Sequence, residues 1–254
     1  MNTFQYHIKG IVGTLEQLFK GRFLVFFIPG AVITLVYFLF SSYTASAKDA
    51  MMLASDYSWI DWTFGYINSG VRGVFNVFDL IMEQVYIFVV ITLLSPFNTL
   101  LGERLDTSYT GKNFESGIIR FINDIIRMVF VVILALLLEF TFIFFYWILS
   151  WVIDLGPLND IIYFIIIAFF YGFAFYDFAL ERYEINVMRS LGFAFSKPLT
   201  MILTGAIFVG LYSIPLIGIP IAPVITLMVS TIVYLYLTKK IPLDNTKIKE
   251  RGNE

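Results

Sequence analysis

Apolar positions in this chain come in blocks separated by short polar stretches, and the block lengths set its architecture. Runs over residues 23–40, 85–101, 128–153, 161–180, 199–214 and 222–237 are almost free of charge. A helix needs about 20 apolar residues to cross a ~30 Å hydrocarbon core. Both arms of the last pair are short of that length, which leaves open whether this hairpin crosses or only dips. Residues 1–22 differ: Phe4, Ile8, Ile11, Val12, Leu15, Leu18 and Phe19 recur at helical spacing among polar residues. That stripe predicts an amphipathic helix lying in the membrane interface.

The pattern therefore predicts an all-α integral membrane protein with a single membrane domain over 1–254. A first transmembrane pair occupies 23–101, with an outer connection over 41–84. A cytoplasmic helix starting near Phe114 and a first hairpin occupy 114–180. A second hairpin follows over 199–238, then a basic tail over 239–254. Ala45-Ser46-Ala47 resembles a signal-peptidase site, but the apolar block before it exceeds the usual ~7–15 residues of a signal-peptide core, so the helix is read as retained. Trp59, Trp62 and Tyr66 in the outer connection favour the headgroup level.

Composition strengthens the reading. Of 254 residues, 59% are hydrophobic and 14% charged, with a mean hydropathy of +0.81, whereas soluble domains average roughly 25% charged. Fifteen of the 17 Lys and Arg residues fall in four alternate segments: Lys9, Lys20 and Arg22; Arg104, Lys112, Arg120 and Arg127; Arg182, Arg189 and Lys197; Lys239, Lys240, Lys247, Lys249 and Arg251. Only Lys48 and Arg72 lie in the intervening connections. The positive-inside rule then puts both termini in the cytoplasm.

Chemistry-bearing residues are few. The chain has no cysteine, which excludes thiolate catalysis, and no P-loop segment that would mark an ATPase of its own. His7, the one histidine, lies outside the apolar blocks and reads as interfacial. Arg120, Asp124 and Arg127 form either an anion patch or an internally paired solvated face, and the paired face is expected. Asp177, Glu181, Arg182 and Glu184 read as a helix-end charge network. No catalytic constellation, cofactor site or metal site is expected, and the chain is read as not an enzyme. Glu139 is the lone ionisable residue deep in the longest block, where a charge needs a cavity or a partner.

Two segments carry candidate sites. Pro96 lacks an amide hydrogen and crowds the preceding turn, so a helix arriving from Val85 should bend near Ser95. Ser95, Pro96, Phe97, Asn98 and Glu103 are the expected helix break and pore-side groups. Gly21, Arg22 and Phe23 form the expected oxyanion entry, because a guanidinium fork beside a helix start suits a tetrahedral anion. The plainer alternative is that Lys20 and Arg22 snorkel to the headgroups.

Ser95-Pro96-Phe97-Asn98-x-x-Leu101-x-Glu103 resembles the segment shared by CysZ-type sulfate permeases and their eukaryotic relative, the etoposide-induced membrane protein. Further landmarks occur in order: Gly21-Arg22-Phe23, Phe175-Tyr176-Asp177-Phe178, Glu181-Arg182, Ile214-Pro215 and Ile221-Ala222-Pro223. Where the family reads Gly-Leu/Ile-Arg-Arg, this chain reads Phe19-Lys20-Gly21-Arg22-Phe23. The resemblance implies two long transmembrane helices, two hairpins that partly penetrate the bilayer, and assembly as a homo-oligomer. It also implies passive sulfate entry across the inner membrane for cysteine biosynthesis, with membrane lipid as surroundings and no nucleic-acid partner. A non-transporting scaffold or stress-response role is the alternative that the eukaryotic relatives imply.

Overall fold

The computed structural model describes residues 2–36, 39, 85–114, 118–153, 155–156, 158–215 and 217–241, with side chains omitted at 118–121. The outer connection with Trp59, Trp62, Tyr66, Lys48 and Arg72, the side chain of Arg120, and the tail with Lys247, Lys249 and Arg251 lie outside the described residues. Nine helices and no strand occur among the described residues: α1 (Thr3–Phe19), α2 (Leu24–Val36), α3 (Val85–Leu93), α4 (Ser95–Thr110), α5 (Ile118–Ser150), α6 (Leu158–Glu181), α7 (Val187–Ser196), α8 (Pro198–Tyr212) and α9 (Gly218–Leu237). Three are long and apolar enough to cross a membrane by themselves: residues Ile122–Ser150 of α5, α6 and α9. The others join into bent pairs, α1–α2 at 100°, α3–α4 at 58° and α7–α8 at 96°.

α9 begins at Gly218, four residues before the apolar block suggests, and runs through Pro223 for 20 residues. At 1.5 Å per residue that gives about 30 Å, a full hydrocarbon thickness. α8, at 15 residues, remains short. The two arms of the last hairpin are therefore unequal.

The core is built around α9, which packs against α1, α4, α6 and α8. The most extensive contact joins α6 to α8, and small residues make it. A methyl group added at Gly172 would collide with the backbone of Met201, and one at Gly205 with the backbone of Ala168. The Ala168-x-x-x-Gly172 spacing thus works as a close-approach face. Ala206-x-x-x-Gly210 does not, for Gly210 meets open space.

α1 orients opposite to a soluble amphipathic helix. Its buried positions are His7, Gly10, Thr14 and Gln17, whereas Phe4, Ile8, Ile11, Val12, Leu15 and Phe19 are exposed. Gly10 lies against Val229 and Val233 of α9. The small and polar stripe faces protein, and the apolar stripe faces outward, as an interfacial helix in contact with acyl chains requires.

Candidate functional site: an entry turn and two buried charge clusters

The turn between α1 and α2 closes α1 with paired backbone bonds. The Arg22 amide donates to the Gln17 carbonyl at 3.2 Å and the Gly21 amide to Leu18 at 2.9 Å. Gly21 sits at φ 71°, the left-handed position this helix ending needs and glycine supplies without steric cost. Phe23 is also left-handed, at φ 68°, a conformation that costs a side-chain-bearing residue about 1–2 kcal/mol. The amides of Gly21 and Arg22 are thus already committed. The Phe26 amide bonds the Phe23 carbonyl, and the amides of Phe23, Leu24 and Val25 at the start of α2 make no backbone bond among the described residues. Arg22 is exposed and makes no ion pair among the described residues.

The expected helix break is present. α3 ends at Leu93 and α4 begins at Ser95, with Pro96 in its first turn where a missing amide hydrogen costs nothing. Backbone bonding survives the bend, because Asn98 donates to the Leu94 carbonyl at 2.9 Å. Ser95 and Asn98 are buried on one face of α4, and the Ser95 hydroxyl and the Asn98 amide nitrogen have no hydrogen-bond partner among the described residues. Pro96 is half-buried and Phe97 exposed. Glu103, half-buried, acts electrostatically on Arg182. The turn that carries Arg22 packs on α4, where Arg104 lies over the Phe26 ring at 5.6 Å; Arg22 is exposed, Asn98 buried at the bend and Glu103 half-buried.

Sequence reasoning placed Arg182 in a helix-end network but missed its main partner, Asp106. Both are fully buried, with Nε 3.5 Å from Oδ2. Tyr183 donates its hydroxyl to the two Asp106 oxygens at 2.9 and 3.0 Å, and Arg182 Nη2 donates to Thr231 of α9 at 3.0 Å. The guanidinium lies against the α4 backbone at Gly102, where a methyl group would strike Nη1. Burial lowers the pKa of Arg182 from its ordinary value, and the Asp106 carboxylate opposes that shift. Burial first, and Asp106 second, push the Tyr183 phenol up. Among the described residues Arg182 Nη1 has no hydrogen-bond partner, so the cluster holds charge with a donor to spare. A pair 76 positions apart leaves no periodic trace in a sequence; the only signal was two charges at apolar block ends.

The second cluster corrects the expectation for Arg127. It grips Asp177 of α6 through two bonds, Nη2–Oδ1 at 2.9 Å and Nε–Oδ2 at 3.2 Å, instead of pairing mainly along α5. Ser190 of α7 adds a 2.5 Å bond to the same carboxylate, and Glu181 lies 3.7 Å from Arg127. Three helices are pinned at one point. His7 likewise departs from the interfacial reading. It is buried, its ring nitrogens bonded to the Thr3 carbonyl and the Thr204 hydroxyl at 2.9 Å each. Since a carbonyl only accepts, Nδ1 carries the hydrogen, and in the neutral ring Nε2 accepts from Thr204. No group of three or more potential metal ligands occurs among the described residues. Compared with known proteins, the chain matches no family model and no curated protein.

Proposed function

We propose that this protein is a passive permease or channel for sulfate or a similar tetrahedral oxyanion, set in the cell's inner membrane with cytoplasmic termini. In this reading it is a homo-oligomer that supplies sulfate for cysteine biosynthesis. The observation that carries the reading is the entry turn: an exposed Arg22 without an ion-pair partner among the described residues, beside the opening amides of α2. A guanidinium fork and helix-start amides recognise oxyanions by complementary means. The buried Ser95 hydroxyl and Asn98 amide nitrogen at the α3–α4 bend, unsatisfied among the described residues, are polar groups that an anion passing the bend would meet.

A second reading, a membrane scaffold without transport, draws on the unlike settings of Arg22, which is exposed, and Asn98, which is buried. Labelled-sulfate influx into liposomes carrying the purified protein separates the two. Influx above protein-free liposomes is expected for the permease. A charged bidentate contact contributes roughly 1.5–3 kcal/mol, so Arg22→Ala should weaken sulfate occupancy about ten- to a hundredfold, with Arg22→Lys intermediate. No influx above the control removes the permease reading and leaves the scaffold.

A further inference from the structure

Between Arg127 and the end of α5 lies a single charged residue, Glu139. It sits within one turn of the middle of the 29-residue apolar stretch Ile122–Ser150. Its side chain is fully buried, and neither carboxyl oxygen has a hydrogen-bond partner among the described residues. An ionised carboxylate without a partner in such surroundings is costly enough that the group takes up a proton instead.

Among the described residues, the neighbouring helices offer no counter-charge. Arg127, 12 residues earlier and so about 18 Å along the axis, is committed to Asp177. One turn beyond Glu139, Phe142 packs on Phe170 of α6 and Phe195 of α7, with ring centroids 5.9 and 6.2 Å apart. Along α6 the titratable residues between Phe170 and Asp177 are the tyrosines 171 and 176. α7 and the residue after it supply Arg189 and Lys197, both exposed. α4 supplies Glu103, Arg104, Asp106 and Tyr109, of which Asp106 is held by Arg182 and Tyr183; α3 supplies Tyr86. No cation among the described residues pairs with Glu139. On the same stripe of α5, Val132 and Leu136 line an open apolar groove of about 270 Å³ against Val85 and Val89 of α3.

We propose that Glu139 is a proton-binding site at mid-depth in the membrane, a carboxylic acid kept neutral by apolar surroundings. The site stands apart from the sulfate reading, since a buried acid binds a proton whether or not an anion passes. Full-length protein in liposomes, treated with the lipid-soluble reagent dicyclohexylcarbodiimide, tests it. This reagent modifies protonated carboxyls in apolar settings, and mass spectrometry should place the adduct on Glu139. Glu139→Gln should fold normally and lose the adduct, and a water-soluble carbodiimide should leave Glu139 unmodified. Labelling should fall about tenfold per pH unit once the acid ionises. The infrared carbonyl band of a protonated acid should be present in the parent and absent from Glu139→Gln. Absence of both the adduct and that band overturns the proposal. So does failure of Glu139→Gln to fold while Glu139→Asp folds, which would mean that the charge is required.

Discussion

α5 and α9 are both candidate membrane spans, yet they occupy opposite environments. α5, the most apolar of the three, has only 28% of its apolar window buried inside the protein; α9 is less apolar and 78% buried. Phe130, Ile133, Leu137 and Phe145 of α5 project outward, whereas Leu227, Met228, Val229 and Ile232 of α9 are fully buried. Buried polar side chains other than Glu139 of α5 divide the same way. Thr226, Ser230 and Thr231 are buried on α9, and Thr231 receives the Arg182 bond. In a soluble protein the most apolar helix belongs in the core. In a bilayer, lipid is as apolar as leucine, so hydropathy marks the helix that meets lipid, while the inner helix can carry small and polar groups that bond across helices.

The strongest way to strain this comparison is at the charge cluster against α9. Asp106→Ala leaves Arg182 buried without its carboxylate, and breaking a buried pair costs about 3–5 kcal/mol. A large drop in melting temperature in detergent is the expected result. Replacing Asp106 and Arg182 together with apolar residues of similar volume should recover most of it.

Truncation on the two helices sharpens the contrast. Leu227→Ala on α9 opens a cavity and should cost about 2–5 kcal/mol, while Leu137→Ala on α5 should stay within about 0.5 kcal/mol. Equal losses in thermal unfolding would erase the distinction. Charge on the outer face reads the surroundings themselves. Leu137→Lys should reduce membrane insertion by about 2.5–3.5 kcal/mol, measured as the inserted fraction, where an aqueous face would accept it freely. The smallest effect is at Ser230, whose hydroxyl lies 3.0 Å from the Leu227 carbonyl of its own helix and 3.4 Å from that of Phe175. Ser230→Ala should cost about 0.5–1.5 kcal/mol by the same melts.

Some of this was legible in the sequence. Pro96 fixed the bend between α3 and α4, block lengths located α5 and α6, and the stripe on α1 marked an amphipathic helix. Which face of α1 turned inward was not, because Gly10 and Thr14 acquire meaning only once Val229 and Val233 lie against Gly10. The extra turn of α9 was hidden by Gly218 and Pro220, which read as turn residues when their helical neighbours are unknown. Partnerships such as Arg127 with Asp177, or His7 with Thr204, depend on which helices touch, and apolar periodicity is silent on that. The candidate entry at Gly21, Arg22 and Phe23 was legible as charge beside a helix start. The capping bonds that occupy its first two amides were not.

The account rests most heavily on α5 facing lipid while α9 faces protein. The chain has no cysteine, so single cysteines at 130, 133 and 137 and at 227, 228 and 232 can each carry a nitroxide spin label in reconstituted bilayers. Oxygen concentrates in the hydrocarbon, and its collisions with the label report lipid contact. High oxygen accessibility on α5 with low accessibility on α9, and low exposure of both sets to a water-soluble relaxation agent, is the predicted result. Labels on α9 as oxygen-accessible as those on α5, or α5 labels open to the water-soluble agent, would contradict it.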